Sequence, residues 1–265
     1  MKHVDTGSLR MAVEDAGSGT PLLLVHGLPL NRRMWDEQVR KLSSRCRVIS
    51  PDLRGFGESD VLETATMDRF ADDLNALLDA MNVREPVVLC GLSMGGYVAF
   101  AFWRKYADRV AGLVLCDTRS NADSPDVAKG RKETADRVSR QGTDFLSEAM
   151  TEKLFSPTTR RDKPEVVQAI QQAMRTAPPQ GVSAALLAMA ERPDSTELLA
   201  TISVPTLVLV GEEDAISPVE EMRTIAAAVP HSQFVVIPEA GHMAPCEQPE
   251  AVNEALRDFL SGLDD

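Results

Sequence analysis

Residues 91–95 carry a G-x-S-x-G pentapeptide centred on Ser93. Apolar residues precede it, and small and apolar residues follow it, which predicts a buried strand, a sharp turn and a helix. Such a turn forces a serine hydroxyl outward, while the flanking glycines keep neighbouring atoms away from it. A helix beginning at Met94 would direct its unpaired N–H groups toward negative charge developing near Ser93. We therefore interpret Ser93 as a candidate nucleophile.

A serine becomes a strong nucleophile when a base removes its proton and a third group orients that base. In parallel α/β sheets ligands bind at the carboxyl ends of strands, so the candidate base directly follows an apolar strand. Among the four histidines, His242 fits best, because it lies in a loop after the last predicted strand. His26 also follows a strand, but it precedes Gly27, and we expect its hydrogen bonds to shape that loop. His3 is expected in a loose terminus and His231 at the opposite end of the sheet.

The orienting acid has several candidates at the same edge of the sheet. Asp214 follows the apolar strand before the last one, with Glu212 and Glu213 as immediate neighbours. Asp117 competes, since it also ends an apolar strand. The chain order nucleophile, acid, base favours Asp214, and Asp117 would then help to form the pocket.

The oxyanion formed on a carbonyl needs fixed donors, usually two backbone N–H groups. We expect these donors to be the N–H of Met94, at the helix start, and the N–H of Leu28, in the loop after His26. Pro29 has no N–H and is excluded. Gly27 allows close backbone approach, so His26 and Gly27 are also expected at the substrate.

Apolar strands alternate with helical patterns over most of the chain, joined by short links. This alternation predicts an α/β fold with a mostly parallel, doubly wound sheet. The expected strands cover residues 9–14, 21–25, 46–50, 86–90, 110–116, 206–210 and 234–237. The expected helices of this region cover residues 35–42, 67–81, 219–228 and 251–260, besides the one that starts at Met94.

Residues 119–197 contain no convincing strand and predict an all-helical cap, with residues 1–118 and 198–265 as the core. Its helices are expected over residues 126–141, 143–154, 165–174 and 181–190. Phe145 and Met150 belong to an apolar stripe at helical spacing, a pattern that more often packs than lines a pocket. If the stripe does line the site, these two side chains would bind a small to medium apolar group.

The composition limits the partners and the compartment. The 265 residues have a net charge of −12, which disfavours nucleic acid and anionic membrane surfaces. The four cysteines and four histidines lack metal-ligand spacing, and residues 1–8 lack the apolar run of a secretory signal. We expect a reduced, cytoplasmic protein without metal or cofactor, whose partner is a small molecule; the oligomeric state is not indicated.

Taken together, these motifs resemble the α/β-hydrolase superfamily with a helical cap, from residue 9 to residue 260. Residues 52–59 resemble its D-x-R-G-x-G-x-S turn, and residues 91–96 resemble its nucleophile elbow. Within the superfamily, the sequences of residues 91–96 and of the loop that begins with His26 and Gly27 most resemble those of small carboxylesterases and 3-oxoadipate enol-lactonases. The resemblance implies hydrolysis of a carboxylic ester or lactone through an acyl-enzyme, without cofactor, under a cap that acts as a lid.

The residue at position 93 disfavours some of the activities known in this superfamily and leaves others open. Haloalkane dehalogenases and epoxide hydrolases use an aspartate where Ser93 stands. Cofactor-free haloperoxidases or perhydrolases and C–C bond hydrolases share the serine triad and stay open, as does a non-catalytic binding protein on the same fold. An enol-lactone with a carboxylate tail would need a positively charged side chain to bind that carboxylate. Arg32, Arg33 and Arg119 are its possible sources, although solvated surface positions are the expectation for all three.

Overall fold

The computed structural model describes residues 1–62 and 64–263. In these residues the strands are β1 (Lys2–Asp5), β2 (Arg10–Ala16), β3 (Pro21–Val25), β4 (Arg47–Pro51), β5 (Val87–Leu92), β6 (Val110–Cys116), β7 (Thr206–Gly211) and β8 (Gln233–Ile237). The α-helices are α1 (Asp36–Leu42), α2 (Met67–Ala80), α3 (Met94–Tyr106), α4 (Pro125–Gln141), α5 (Asp144–Leu154), α6 (Pro157–Asp162), α7 (Pro164–Arg175), α8 (Pro179–Ala190), α9 (Val219–Ala228), α10 (Ala244–Glu247) and α11 (Pro249–Ser261). None of these helices is long and apolar enough to span a bilayer.

The strands of the described residues form one sheet in the order β1-β2-β4-β3-β5-β6-β7-β8. The first two pairings are antiparallel, and every pairing from β4 to β8 is parallel. Strands β3, β5 and β7 are buried along their whole length, because helices cover both faces of the sheet. The expected doubly wound, mostly parallel sheet is confirmed.

The expectation of a loose N-terminus is wrong. Residues 2–5 form the edge strand β1, in which Lys2 pairs with Val13 and His3 with Ala12. The ammonium group of Lys2 lies 2.7 Å from the carboxylate of Asp15. This polar segment lacks an apolar pattern, so its order comes from pairing with β2 rather than from burial of its own side chains.

The connection between β6 and β7, described throughout, contains helices and no strand. We call helices α4 to α8 the cap. The four expected cap helices are present with ends within two residues. The short helix α6 was not expected; Ser156 caps it by accepting a hydrogen bond from the N–H of Thr159 at 3.1 Å.

The cap contacts the core where α8 crosses the turn at Gly55. A Cβ atom added to Gly181 would lie 1.8 Å from the carbonyl oxygen of Gly55, and one added to Gly55 would lie 2.6 Å from the Cα of Gly181. The two backbones therefore touch directly. Only glycine at both positions permits this approach.

Substitution of Gly181 by alanine should destabilise the protein, because the new Cβ clashes with backbone rather than with a movable side chain. We expect the free energy of unfolding to fall by about 1–3 kcal/mol. Gly130→Ala is the matched control, since a Cβ there, inside α4, meets nothing within 4 Å. That control should stabilise by about 0.5–1 kcal/mol through helix propensity. Denaturant unfolding measures both, and equal effects would contradict the proposed contact.

Candidate active site

The turn between β5 and α3 consists of a single residue, Ser93, whose φ is 54° and ψ is −113°. A positive φ in a residue other than glycine costs on the order of 1–3 kcal/mol, so the surroundings must hold it in place. A Cβ on Gly91 would lie 2.2 Å from the carbonyl oxygen of Gly95, and a Cβ on Gly95 would lie 2.3 Å from that of Val25. The expected strand, sharp turn and helix are present, and the two glycines are required by these approaches.

The elbow is fixed by hydrogen bonds to the end of the neighbouring strand β6. The N–H of Ser93 donates to the carbonyl oxygen of Cys116 at 3.0 Å, and the hydroxyl of Thr118 donates to the carbonyl oxygen of Ser93 at 2.7 Å. The Thr118 hydroxyl also occupies the space that a Cβ on Gly96 would need, at 2.3 Å. Both backbone groups of the strained residue are thus held by β6 and the residues after it.

Asp214 and His242 are buried and in contact: Nδ1 of His242 lies 2.8 Å from Oδ2 of Asp214. The hydroxyl of Ser217 donates to the same oxygen at 2.7 Å, and the N–H groups of Ile216 and Ser217 donate to Oδ1 at 2.7 and 3.0 Å. Burial raises the pKa of Asp214, but His242 and the Ser217 hydrogen bonds outweigh burial and lower it below its usual value. The hydrogen bonds between the imidazole and described residues all involve Nδ1. Nε2 has no such bond, so it can accept a proton from another group.

The loops that carry the acid and the histidine meet because β7 and β8 are adjacent strands. A Cβ on Gly211 would lie 2.0 Å from the carbonyl oxygen of Gly241, and the N–H of Glu213 donates to the carbonyl oxygen of Ala240 at 2.8 Å. The side chains of Glu212 and Glu213 are exposed. Among the acidic residues of this loop, it is Asp214 that reaches His242.

Asp117, the competing acid, is completely buried behind this pair. Its Oδ1 accepts the N–H of Gly211 at 2.8 Å, and its Oδ2 has no hydrogen-bond partner among the described residues. Burial and the negative charge of Asp214 raise the pKa of Asp117 well above its usual value. Asp117, Asp214 and His242 each place one oxygen or nitrogen atom within 4.8 Å of the other two. Such a spacing also occurs among the ligands of a metal ion. The hydrogen bonds of Asp214 already occupy both its oxygens, which favours an acid–histidine pair over a metal site.

His26 is completely buried and shapes the loop after β3. The N–H of Leu53 donates to its Nε2 at 3.0 Å, so Nδ1 carries the proton and donates to the carbonyl oxygen of Gly27 at 3.0 Å. Burial lowers the pKa of His26, in keeping with this neutral tautomer. The loop-shaping role expected for His26 thus matches its contacts.

The loop lies against the elbow. A Cβ on Gly27 would be 3.4 Å from the Cβ of Ser93 and 2.9 Å from the Cδ2 of Leu92. Leu28 follows this contact, and Met94 is the first residue of α3, where a helix N–H has no partner within the helix. The two expected oxyanion donors therefore belong to segments that touch at Ser93.

A cleft of about 480 Å³ lies between the core and the cap. Its core wall includes residues 30–34, and its cap wall is one side of α7 that includes Ile170 and Ala173. Phe145 and Met150 are half-buried and do not line this cleft; the Phe145 ring packs under the guanidinium of Arg137 at 3.7 Å. Their expected contact with the substrate stays a prediction.

The expectation that Arg32 is solvated is wrong. Its side chain is buried and binds the carboxylates of Asp52 and Glu58, the latter at 2.7 Å. Arg119 is half-buried and lies 3.3 Å from a carboxylate oxygen of Glu221. Arg33 is mostly exposed, as expected. The partner of Arg32 is twenty positions away in the sequence, which is why its own segment gave no sign of burial.

The raised pKa of Asp117 predicts a specific pH dependence of stability. The folded chain retains a proton on Asp117 at pH values where the unfolded chain has lost it, so this residue lowers the free energy of unfolding as pH rises above about 4. Asp117→Asn stays neutral at every pH and removes this contribution. We expect the stability difference, variant minus parent, to increase with pH in denaturant unfolding. A difference that is constant with pH would mean that Asp117 ionises normally.

Several known proteins are similar to this chain over nearly its whole length. A thermophilic esterase from Thermogutta terrifontis is 53% identical, with 99% of this chain and 98% of that chain covered and a TM-score of 0.97. An enol-lactonase from Burkholderia xenovorans is 25% identical, with 98% and 100% covered and a TM-score of 0.91. The 3-oxoadipate enol-lactonase 1 of Acinetobacter baylyi is 28% identical, covering 97% of this chain and 94% of the relative. Residues 20–249 match the family model described as alpha/beta hydrolase fold, so the chain belongs to the α/β-hydrolase family.

Proposed function

We propose that this protein is a serine hydrolase that cleaves a carboxylic ester through an acyl-enzyme. The observation that carries the proposal is the 2.8 Å contact between Nδ1 of His242 and Asp214, which turns the unbonded Nε2 into a candidate base. Ser93 would attack the ester carbonyl, and His242 would take its proton and return it to the leaving alcohol. Asp214 would hold the imidazole tautomer and stabilise the imidazolium.

The oxyanion of the tetrahedral intermediate would accept hydrogen bonds from the N–H groups of Leu28 and Met94. The positive end of the α3 dipole adds to this stabilisation, because Met94 is its first residue. In the second half of the reaction His242 would deprotonate a water molecule, which attacks the acyl-enzyme and releases the acid.

The names of the relatives support two substrate classes. The esterase of Thermogutta terrifontis, at 53% identity over nearly the whole chain, supports an ester. The enol-lactonase relatives support a second candidate, an enol-lactone, which is a cyclic ester that the same serine would open. Hydrolysis rates of short acyl esters and of a carboxylated enol-lactone, measured on the same preparation, separate the two.

Replacement of Ser93 by alanine should abolish both turnover and covalent labelling. We expect hydrolysis of a p-nitrophenyl ester to fall by about three to six orders of magnitude, because oxyanion stabilisation and binding alone remain. A fluorophosphonate probe should label the parent on Ser93 and leave Ser93→Ala unlabelled. Ser44→Ala, at an exposed serine, is the control and should behave like the parent. An unlabelled parent would instead favour a binding protein on this fold.

We further propose that the cleft between core and cap receives the distal part of the substrate. Leu30 lines its wall only two residues after Leu28, the proposed oxyanion donor. The opposite wall, on α7, carries small side chains such as Ala169 and Ala173. The α7 side of the cleft would contact an unbranched apolar chain, while polar side chains line the rest of the cleft, among them Arg33, Asp36 and Glu58.

Filling the cleft should therefore select against long substrates. With Ala173→Trp we expect KM for a long-chain p-nitrophenyl ester to rise about tenfold, since a lost apolar pocket is worth 1–3 kcal/mol, whereas KM for the acetate ester should change little. Gln168→Trp, on the exposed side of the same helix, is the control. Equal effects of Ala173→Trp on both esters would place the substrate elsewhere.

A further inference from the structure

We infer that Glu247 is a positioning residue that fixes His242 from both sides and ties it to the cap. The inference rests on the proposed function, in which His242 is the base. Glu247 is the last residue of α10 and is completely buried. Neither the spacing of the motifs nor the chain order of the triad pointed to it.

One carboxylate oxygen of Glu247 binds the backbone on both sides of the histidine. Oε1 accepts the N–H of Gly241 at 2.9 Å and the N–H of Met243 at 3.2 Å. These are the residues immediately before and after His242. Two bonds to one atom fix the peptide units that set the position and direction of the imidazole.

The other oxygen binds the cap. Oε2 of Glu247 accepts the N–H of Ser156, between α5 and α6, at 2.8 Å. The hydroxyl of Ser156 donates to the carbonyl oxygen of Glu239 at 3.0 Å, and the N–H of Met243 also reaches the carbonyl oxygen of Leu154 at 3.2 Å. The cap segment and the histidine loop are therefore joined by three hydrogen bonds, one of which is accepted by the carboxylate of Glu247.

The backbones of the two segments are in direct contact at Gly241. A Cβ on Gly241 would lie 2.8 Å from the nitrogen of Ser156 and 2.9 Å from the carbonyl carbon of Phe155. Both are backbone atoms that cannot rotate away. The histidine loop is thus seated directly against the cap segment.

The surroundings of the Glu247 carboxylate fit a role in fixing the backbone of the histidine loop. Burial raises the pKa of Glu247, while hydrogen bonds from Ser156, Thr159 and Gly241 lower it in part. The nearby Lys163 ammonium binds the backbone oxygen of Glu247 and the side chain of Gln248, not the carboxylate. Replacing the carboxylate by an apolar group would leave the buried N–H groups of Gly241 and Ser156 unpaired, each at substantial cost, and would leave the N–H of Met243 with the carbonyl oxygen of Leu154 alone.

The first test compares Glu247→Ala and Glu247→Gln with the parent, well below their melting temperatures. A displacement of about 1 Å at a catalytic group can cost 10²-fold, so we expect kcat to fall about 10–100-fold in Glu247→Ala with little change in KM. Glu247→Gln keeps one acceptor oxygen, so its kcat should lie between those of the parent and of Glu247→Ala. The rate of fluorophosphonate labelling of Ser93 should fall in parallel, because it depends on the same base.

Asp73→Asn is the control for a purely structural effect. Asp73 is a buried carboxylate on α2 that pairs with Arg54, and it has no bond to the histidine loop. It should lower Tm but leave kcat unchanged. If Glu247→Ala loses Tm while keeping the parent kcat and labelling rate, the positioning role is overturned. A parent that is itself never labelled overturns the proposed function, and the inference with it.

A second pair of variants tests the link to the cap without touching Glu247. Ser156 has φ −58° and ψ 152°, angles that proline adopts, and the extended Phe155 precedes it well. Ser156→Pro removes the N–H and the hydroxyl, whereas Ser156→Ala removes the hydroxyl alone. We expect kcat to be at least about fivefold lower in the proline variant than in the alanine variant, because only the proline variant loses the hydrogen bond from the N–H of residue 156 to the carboxylate of Glu247. Equal kcat values would overturn the coupling of cap and base.

Discussion

The left-handed backbone at Ser93 is the constraint on which the rest of the structure depends. A serine keeps a φ of 54° only where its neighbours allow no other conformation. The sheet order supplies those neighbours, because β3 and β6 lie on either side of β5. The end of β3 touches Gly95 and brings the oxyanion loop against the serine, while Thr118, after β6, binds its carbonyl oxygen. The strain at Ser93 and the oxyanion side of the candidate site thus depend on the same three strands, while the loops after β7 and β8 supply Asp214 and His242.

Two carboxyl groups that each follow an apolar strand have their pKa values shifted in opposite directions at this edge. Asp214 accepts hydrogen bonds on both oxygens and lies beside His242, which lowers its pKa despite burial. Asp117 has one backbone partner and faces the charge of Asp214, so its pKa is raised. Asp117 also connects the end of β6 to β7, because its carboxyl group accepts the N–H of Gly211. One group can therefore act as the ionic partner while the other braces the strand that carries it.

The sequence was informative wherever a local pattern decides the outcome. Buried strands, the elbow and the placement of Asp214 and His242 after their strands could be predicted, since each depends on residues close in the chain. Contacts between distant segments could not. Glu247 and Ser156 are 91 positions apart, and β1 is ordered by pairing with β2. An acidic residue in the apolar stretch after His242 was the available signal for Glu247, because a buried charge requires partners.

The two contacts between cap and core bear on how a substrate would reach Ser93. α8 is held at Gly55 by direct backbone contact, and residues 154–156 are bonded to the loop of His242. Swinging the whole cap away would break both, and the second break would release the proposed base from its position. The cleft beside α7 lies apart from these two contacts and needs no such break. Entry of the substrate through the cleft, as proposed above, would keep the base ordered, whereas opening the whole cap would release it.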